Sequence, residues 1–202
     1  MKVRLLLVIA ASLGALIITG ARFAAANCFV DPGVSRNCDA ANDNETFNLN
    51  YSDFINGGGG NDSLIVEGVI GSDSTDFTDE GFYGGLGADT LINDGTIIAA
   101  NGMTDGTGAV DDNFNDLLIN NGSIQSQQSG LEGGGGDTLT NTGTIQTAGF
   151  GIDCVAIAGE GCVINAGGSI NAPGSGIGVN AGAGNDSVVV SGTISSDVFM
   201  GG

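Results

Sequence analysis

The amino-acid sequence predicts an all-β fold, a parallel β-solenoid of about six coils with 21–27 residues in each. Six segments of the chain align with one another, and the glycine that they share recurs every 21–27 residues. Within each segment apolar and polar residues alternate with a period of two, which is typical of strands rather than helices. The chain also contains 38 glycines, a residue that favours turns and is disfavoured inside helices.

The first 26 residues predict a signal peptide that is removed from the mature protein. Lys2 and Arg4 form a basic start, an apolar run follows, and Ala24 and Ala26 have the small-x-small spacing of a signal peptidase site. The apolar run is short for a membrane span, and no second one follows it. We therefore expect a secreted protein whose mature chain has no membrane span.

Removal of the signal peptide leaves a strongly acidic chain. Arg36 is then its only basic residue, against all 23 acidic residues, and the sequence has no histidine. A surface with this charge repels nucleic acid and anionic lipid, so we expect no nucleic-acid partner. Bound calcium and high solubility are the two ways in which such an excess of carboxylates can be accommodated.

The four cysteines lie in two close pairs, Cys28 with Cys38 and Cys154 with Cys162. In an oxidising compartment each pair predicts a short-loop disulfide. A zinc site is less favoured, because the chain has no histidine. Residues 27–56 do not contain the repeat, and we expect them to form an N-terminal cap that the first cysteine pair holds together.

Residues 57–202 carry the repeat, which is best described by its columns of equivalent residues. An aliphatic column contains Leu64, Leu91, Leu118, Leu139, Val163 and Val188. An isoleucine column contains Ile70, Ile97, Ile124, Ile145, Ile170 and Ile194. An asparagine column contains Asn93, Asn120, Asn141 and Asn165, with Val66 and Val190 at its ends. This alignment needs one extra residue in the fifth segment.

Stacking of these columns predicts the interior of the solenoid. Equivalent side chains in successive coils lie about 4.8 Å apart, the distance between neighbouring strands. We expect the aliphatic and isoleucine columns to fill a narrow core, and the asparagine column to form a hydrogen-bonded ladder at an inward turn. Two variable stretches, Asp73–Gly81 and Gly102–Val110, predict insertions at one corner.

A second apolar column lies beside the aliphatic one. It contains Ile65, Ile92, Ile119, Thr140, Ile164 and Val189. We expect it to lie in the core or at a sheltered corner. The alternative is an exposed apolar stripe that binds a partner.

A glycine–aspartate motif opens the repeats. Gly57–Ile65 and Gly84–Ile92 both fit the pattern G-G-x-G-x-D-x-U-x, in which U is aliphatic. This nonapeptide resembles that of the RTX calcium-binding β-roll toxins and proteases. The resemblance implies that aspartates and backbone carbonyls of adjacent coils form an oxygen cage for Ca²⁺. The candidate ligands are Asp62, Asp89, Asp116, Asp137 and Asp186.

A second interpretation of this motif needs no metal. Each G-x-G-x-D segment can be a tight turn whose aspartate accepts hydrogen bonds from backbone amides. The motif occurs once in each coil, whereas β-roll proteins repeat it in tandem, and the later coils depart from it. We favour this interpretation, with calcium as the alternative and no other cofactor.

The whole coil, G-x-G-N/A-D-T-L-x-N-x-G-T-I, is similar to repeats in the passenger domains of autotransporters, the type V secreted surface proteins of Gram-negative bacteria. The similarity covers roughly residues 54–202. It implies a right-handed parallel β-helix that is displayed outside the cell and is followed by a translocator barrel. No such barrel is present in this sequence, which leaves the secretion route open.

We expect a non-enzymatic structural or adhesive function at the cell surface. The mature chain lacks the Lys or Arg base of β-helical lyases, apart from Arg36, and a Ser–His or Cys–His pair is impossible without histidine. The last residues, Val198–Gly202, match the beginning of another coil, so the C-terminal end is predicted to lack a cap. Either the parent protein is longer, or this open end pairs with another chain. The expected partners are a surface receptor or glycan, or a second copy stacked on that end into a filament.

Overall fold

The computed structural model describes residues 28–30, 36–48, 50–52, 54–71, 80–106, 114–155, 160–174 and 176–201. The predicted signal peptide, residues 1–26, lies outside these ranges. The described residues form strands and turns only, and they contain no helix long and apolar enough to cross a membrane.

The strands follow one another in groups of three, one group for each coil. The N-terminal part contains β1 (Phe29–Val30), β2 (Arg36–Asn37), β3 (Asn44–Phe47) and β4 (Ile55–Asn56). The next three coils contain β5 (Ser63–Val66), β6 (Val69–Ile70), β7 (Glu80–Tyr83), β8 (Thr90–Asn93), β9 (Thr96–Ala99), β10 (Asn101–Thr104), β11 (Leu117–Asn120), β12 (Ser123–Ser126) and β13 (Ser129–Gly133). The last three contain β14 (Thr138–Asn141), β15 (Thr144–Thr147), β16 (Phe150–Cys154), β17 (Val163–Ala166), β18 (Ser169–Asn171), β19 (Ile177–Asn180), β20 (Ser187–Val190), β21 (Thr193–Ile194) and β22 (Asp197–Phe199).

Equivalent strands of successive coils pair in parallel and form three sheets. Sheet I contains β3, β5, β8, β11, β14, β17 and β20; sheet II contains β6, β9, β12, β15, β18 and β21; sheet III contains β2, β4, β7, β10, β13, β16, β19 and β22. The predicted parallel β-solenoid is therefore confirmed. The coil count differs slightly from the prediction, with about 5 turns where about six were expected. Asn44–Phe47 and Ile55–Asn56, expected within the cap, already pair with strands of sheets I and III.

Three columns of apolar side chains, one from each sheet, fill the core. Sheet I contributes Leu64, Leu91, Leu118, Leu139 and Ile164, and sheet II contributes Ile70, Ile97, Ile124, Ile145 and Ile170. Sheet III contributes Ile55, Phe82, Met103, Leu131, Ile152 and Val179. The sheet III column was not identified from the sequence. Its glycines bring it close to sheet II: a Cβ atom on Gly102 would lie 2.5 Å from Cγ2 of Ile124.

The register of the sixth strand of sheet I corrects two predictions. Leu139 pairs with Ile164, and Asn141 pairs with Ala166, so Val163 and Asn165 do not belong to the aliphatic and asparagine columns. Ile164 is accordingly a core residue. The segment needs no extra residue, because Cys162 occupies the position that aspartate holds in the other coils.

The asparagine ladder forms as predicted over its three central members. Asn93 donates its side-chain amide to Oδ1 of Asn120 at 2.7 Å, and Asn120 donates to Oδ1 of Asn141 at 2.7 Å. All three are fully buried. Val66 pairs with Asn93 and begins this column on the N-terminal side, as expected. Each buried amide thus has its hydrogen-bond partner in the neighbouring coil, which holds the coils in register.

The column of Ile65, Ile92 and Ile119 faces outward and is half-buried. Of its two predicted places, the core and a sheltered corner, the core is therefore wrong. Side chains alternate between the two faces of a strand, and their neighbours Leu64, Leu91 and Leu118 point inward. The two variable stretches also differ from the prediction. Their described residues include Gly81 in β7 and Gly102–Thr104 in β10, which are strands of sheet III, and residues 73–79 and 107–110 lie outside the described residues.

The N-terminal end of sheet III is covered by an antiparallel strand. β1 pairs with β2 in the opposite direction, and the Cys28–Cys38 disulfide links the two ends of this segment. The Arg36 guanidinium lies 5.9 Å from the ring centroid of Phe47 and 5.5 Å from that of Tyr51. An antiparallel strand of this kind blunts an open sheet edge.

Removal of one side chain from the isoleucine column should destabilise the solenoid. Ile124→Ala leaves a cavity between Ile97 and Ile145, and we expect the free energy of unfolding to fall by about 2–5 kcal/mol. Urea denaturation followed by circular dichroism measures this change. Gln125→Ala, at the neighbouring exposed position, is the matched control and should change stability by less than about 0.5 kcal/mol. Equal effects of the two substitutions would contradict the assignment of the core.

Candidate functional site

A column of buried aspartates runs along the corner at which each coil enters sheet I. Each aspartate directly precedes a strand of that sheet. The exposed fractions of their side chains are 0–3 % for Asp43, Asp62, Asp89, Asp116 and Asp137. Ionised carboxylates are rarely buried without compensation, so this column is the most unusual chemical feature of the described residues.

Hydrogen bonds between successive coils hold the column together. The backbone N–H of Asp43 donates to Oδ1 of Asp62 at 2.7 Å, and that of Asp62 donates to Oδ1 of Asp89 at 2.7 Å. The same bond joins Asp89 to Asp116, and Asp116 to Asp137 at 2.8 Å. Asp62, Asp89, Asp116 and Asp137 each therefore accept a hydrogen bond from the coil before them, whereas Asp43 only donates within this row. The stacking of Asp62 on Asp89 and of Asp116 on Asp137 agrees with the sequence prediction.

The glycine that opens each motif makes room for the second carboxylate oxygen. A Cβ atom on Gly57 would lie 2.9 Å from Oδ2 of Asp62, and one on Gly84 would lie 2.5 Å from Oδ2 of Asp89. Atoms cannot approach so closely, so a larger residue would displace the carboxylate. Packing against the carboxylate thus requires a glycine at this distance before the aspartate. Oδ1 of each of these aspartates accepts from an amide of the adjacent coil, and Oδ2 of Asp137 also accepts from the N–H of Gly134 in its own turn.

Asp43 belongs to the column although the sequence analysis missed it. It lies in the segment that was predicted as the cap, and no glycine motif precedes it. The signal that could have found it is the Asn42–Asp43 pair before a strand, because the same pair recurs at Asn61–Asp62. The asparagines form a second, exposed ladder, in which Oδ1 of Asn42 accepts from the N–H of Asn61 at 2.9 Å.

Asp186 is separated from the other predicted ligands by one coil. Cys162 occupies the intervening position, and its N–H donates to Oδ1 of Asp186 at 2.9 Å. Cys162 forms the predicted disulfide with Cys154. Asp186 is only half-buried. The structure therefore brings Asp62, Asp89, Asp116 and Asp137 together, and leaves Asp186 apart from them.

Burial changes the acidity of the column. Loss of hydration raises the pKa of Asp62 to about 7, and the nearby Asp89 and Asp43 carboxylates add to this effect. Loss of hydration likewise raises the pKa of Asp137 to about 9, with further contributions from Asp105 and Asp116. Burial also raises the pKa of Asp43. Arg36 is the one basic residue in the described ranges. Its guanidinium contacts the rings of Phe47 and Tyr51 and donates to the carbonyl oxygen of Cys28, instead of pairing with a carboxylate of the column.

Three buried carboxylates converge at one point of the column and could hold a metal ion. Ligand atoms of Asp105, Asp116 and Asp137 all lie within 4.8 Å of one another. The N–H of Gly134 donates to Oδ2 of Asp105 at 2.9 Å and to Oδ2 of Asp137 at 2.7 Å. Oxygen-only ligands suit a hard cation such as Ca²⁺. Carboxylate oxygens have two lone pairs each, so an oxygen that accepts an amide N–H can still bind a cation.

Asp105 is a member of this cluster that the sequence analysis missed. It follows β10, inside a stretch that was predicted as an insertion, and it reaches Asp116 and Asp137 across the corner between sheets III and I. No motif surrounds it. Two other clusters combine a disulfide with Asp43 or Asp186. Their sulfur atoms are bonded to each other and offer no thiolate to zinc.

Comparison of the chain with models of known protein families, with curated proteins and with solved structures finds no match. The similarity to autotransporter passengers and to RTX nonapeptides therefore rests on the repeat motif. The fold is consistent with β-helix repeats of this general kind.

The raised pKa values predict that alkaline pH destabilises the solenoid. The folded state retains protons on Asp62 and Asp137 that the unfolded chain releases above pH 3.8. Their contribution to stability is complete below that pH and is lost as the pH rises through about 7 and about 9. Each retained proton changes the free energy of unfolding by at most about 1.4 kcal/mol per pH unit. Urea denaturation between pH 5 and pH 9, in the presence of a chelator, measures the slope.

The variant Asp62→Asn separates this effect from general pH sensitivity. Asparagine keeps the Oδ1 acceptor for the N–H of Asp43 and removes the titrating group, so the slope around neutral pH should become shallower. Asp94→Asn, at an exposed position outside the column, is the matched control and should leave the slope unchanged. A wild-type stability that is constant over this pH range would show that the column is not protonated.

Proposed function

We propose that the protein is an extracellular, non-enzymatic structural or adhesive β-solenoid, displayed at the outer surface of a Gram-negative cell in the manner of an autotransporter passenger segment. The observation that carries this proposal is the unbroken stacking of coils into three parallel sheets. Such a stack presents long, regular outer faces. Its length and its surface can be varied coil by coil without a change in the core.

Both disulfides support an extracellular place for the protein. Cys28 is bonded to Cys38 and Cys154 to Cys162, which leaves no free cysteine among the described residues. Disulfides of this kind persist in oxidising compartments and are rare in the cytosol. They agree with the signal peptide that the first 26 residues predict.

The composition of the chain supports a non-enzymatic role. The sequence has no histidine, so the usual general base of nucleophilic catalysis is missing. In the described ranges the buried aspartates lie in a corner of the solenoid and accept backbone hydrogen bonds, instead of facing an open cleft. These features favour a surface that binds or separates other molecules.

The proposed location can be tested in cells that produce the protein. We expect antibodies against the mature chain to label intact cells, the N-terminus to begin at Asn27, and the intact mass to show both disulfides. A periplasmic protein of the same cells is the control for leakage. Recovery of the protein from the cytosol, with an uncleaved N-terminus and reduced cysteines, would contradict the proposal.

A calcium-binding repeat module is the second candidate, and the cluster of Asp105, Asp116 and Asp137 favours it. Calcium that binds the folded state alone stabilises it by about 2.7 kcal/mol at a concentration one hundred times Kd. We therefore expect a higher Tm in calcium than in chelator, and we expect Asp105→Asn to reduce the difference. Asp94→Asn is again the control. Identical melting curves in calcium and chelator would exclude this candidate.

Self-association is a third candidate, favoured by the last described coil. Apolar side chains are 41–56 % exposed there at Val189, Val190, Val198, Phe199 and Met200. A second copy that paired its strands with β20, β21 and β22 would cover them. Sedimentation velocity separates this candidate from a monomeric display segment, because stacked copies give species whose size grows with protein concentration.

A further inference from the structure

The outer face of sheet II carries no charge, although the chain has 23 acidic residues. None of the strands β6, β9, β12, β15, β18 and β21 contains an acidic or basic residue. Sheet III differs, because Glu132 and Asp197 lie within its strands. The strands of sheet I from β5 to β20 are likewise uncharged, so the acidic residues of the strands lie mainly in sheet III.

Amides and hydroxyls replace charges on this face, and they stack in register. One outward column contains Thr96, Ser123, Thr144, Ser169 and Thr193. Beside it Gln125 pairs with Gln146, which pairs with Asn171. Primary amides offer both donors and acceptors, and hydroxyls do the same. From β12 to β18 the face therefore repeats one set of neutral hydrogen-bonding groups, about 4.8 Å apart along the axis, whereas Ile98 holds the position equivalent to Gln125 in β9.

A groove of about 220 Å³ runs across three coils at the edge of this face. Its exposed amides are those of Gln125, Gln127 and Gln146, and its other walls include Thr147, Ala148 and Pro173. Polar amides beside small apolar surfaces suit a ligand that has both hydroxyl groups and C–H faces.

We propose that this groove, together with the neighbouring amide and hydroxyl columns, binds a neutral glycan chain that lies along the solenoid axis. Hydroxyl groups of the sugar units would pair with the glutamine amides, and their C–H faces would lie on Pro173 and Ala148. This proposal names the ligand of the adhesive solenoid proposed above and rests on that function.

Two observations favour a neutral glycan over other ligands. Anionic polymers are repelled by the net charge of the protein, and the groove offers no cation to bind them. A protein partner usually buries large apolar or aromatic anchors, but none of the large apolar residues exposed in the described ranges lies on sheet II. Of these three kinds of ligand, the one that fits the groove is bound through many neutral hydrogen bonds.

Affinity electrophoresis of the full mature chain tests the proposal directly. The protein is run in native gels that contain a soluble β-1,3-glucan, a galactomannan, a xylan or dextran, with polygalacturonate as the anionic comparison. We expect at least one neutral polysaccharide to retard the protein. Retardation by none of them, or by polygalacturonate alone, would overturn the proposal.

Substitutions in the groove locate the binding site. Gln125→Glu and Gln146→Glu keep the size of the side chain and remove its donors, and each should weaken binding about tenfold, the equivalent of one or two lost hydrogen bonds. Gln128→Glu makes the same change at an exposed residue that does not line the groove and should leave retardation unchanged. All three variants should keep the wild-type circular dichroism spectrum and Tm.

Other outcomes of this experiment are equally decisive. Retardation that is equal in wild type and in both groove variants would place binding elsewhere and overturn the proposal. Loss of binding in Gln128→Glu to the same extent would show that charge alone is responsible, and it would overturn the proposal as well. Because the purified chain is used, failure here leaves the surface location to be judged by the cell experiment.

Discussion

The parallel register between successive coils is the constraint on which the rest of the structure depends. Every backbone hydrogen bond that joins two coils also places each side chain on its equivalent in the neighbouring coil. Leucine stacks on leucine, asparagine donates to asparagine, and aspartate accepts from the backbone N–H of the aspartate in the preceding coil. A favourable choice at one position is therefore repeated along the whole molecule, and so is an unfavourable one.

The aspartate column shows the cost of this repetition. A single buried carboxyl group can be satisfied by two or three hydrogen bonds, but five in a row also repel one another when they are ionised. The asparagine ladder runs through the same coils, but there each side-chain amide donates to the next and no charge is present. The two ladders differ by one atom in each side chain, and this difference makes the stability of one corner depend on protons or cations. The outer face of sheet II has no such repulsion, because its stacked side chains are neutral.

The sequence was sufficient for the fold and for part of the site, because the informative residues lie close together in it. Asp89, Leu91, Asn93 and Ile97 span a short segment of constant length, so their spacing survives in most coils. The sheet III column could not be found in this way, since stretches of variable length separate Ile70 from Phe82 and Ile97 from Met103. Asp105 reaches the aspartate column only through the closure of a coil, which no local pattern reports. The register of Val163 and Asn165 was misjudged because Cys162 replaces the aspartate that marks the start of the strand elsewhere.

The replacement of aspartate by Cys162 also limits the length of the aspartate column. Cys162 is bonded to Cys154, carries no charge and exchanges no proton, and it lies between Asp137 and Asp186. The row of acids therefore ends after five members, and Asp137 is its terminal group. The row is a short oligoacid with a small number of protonation states, instead of an open-ended polyacid whose repulsion grows with each coil. The disulfide thereby acts as an insulating spacer, and the solenoid can be extended beyond it without lengthening the run of interacting charges.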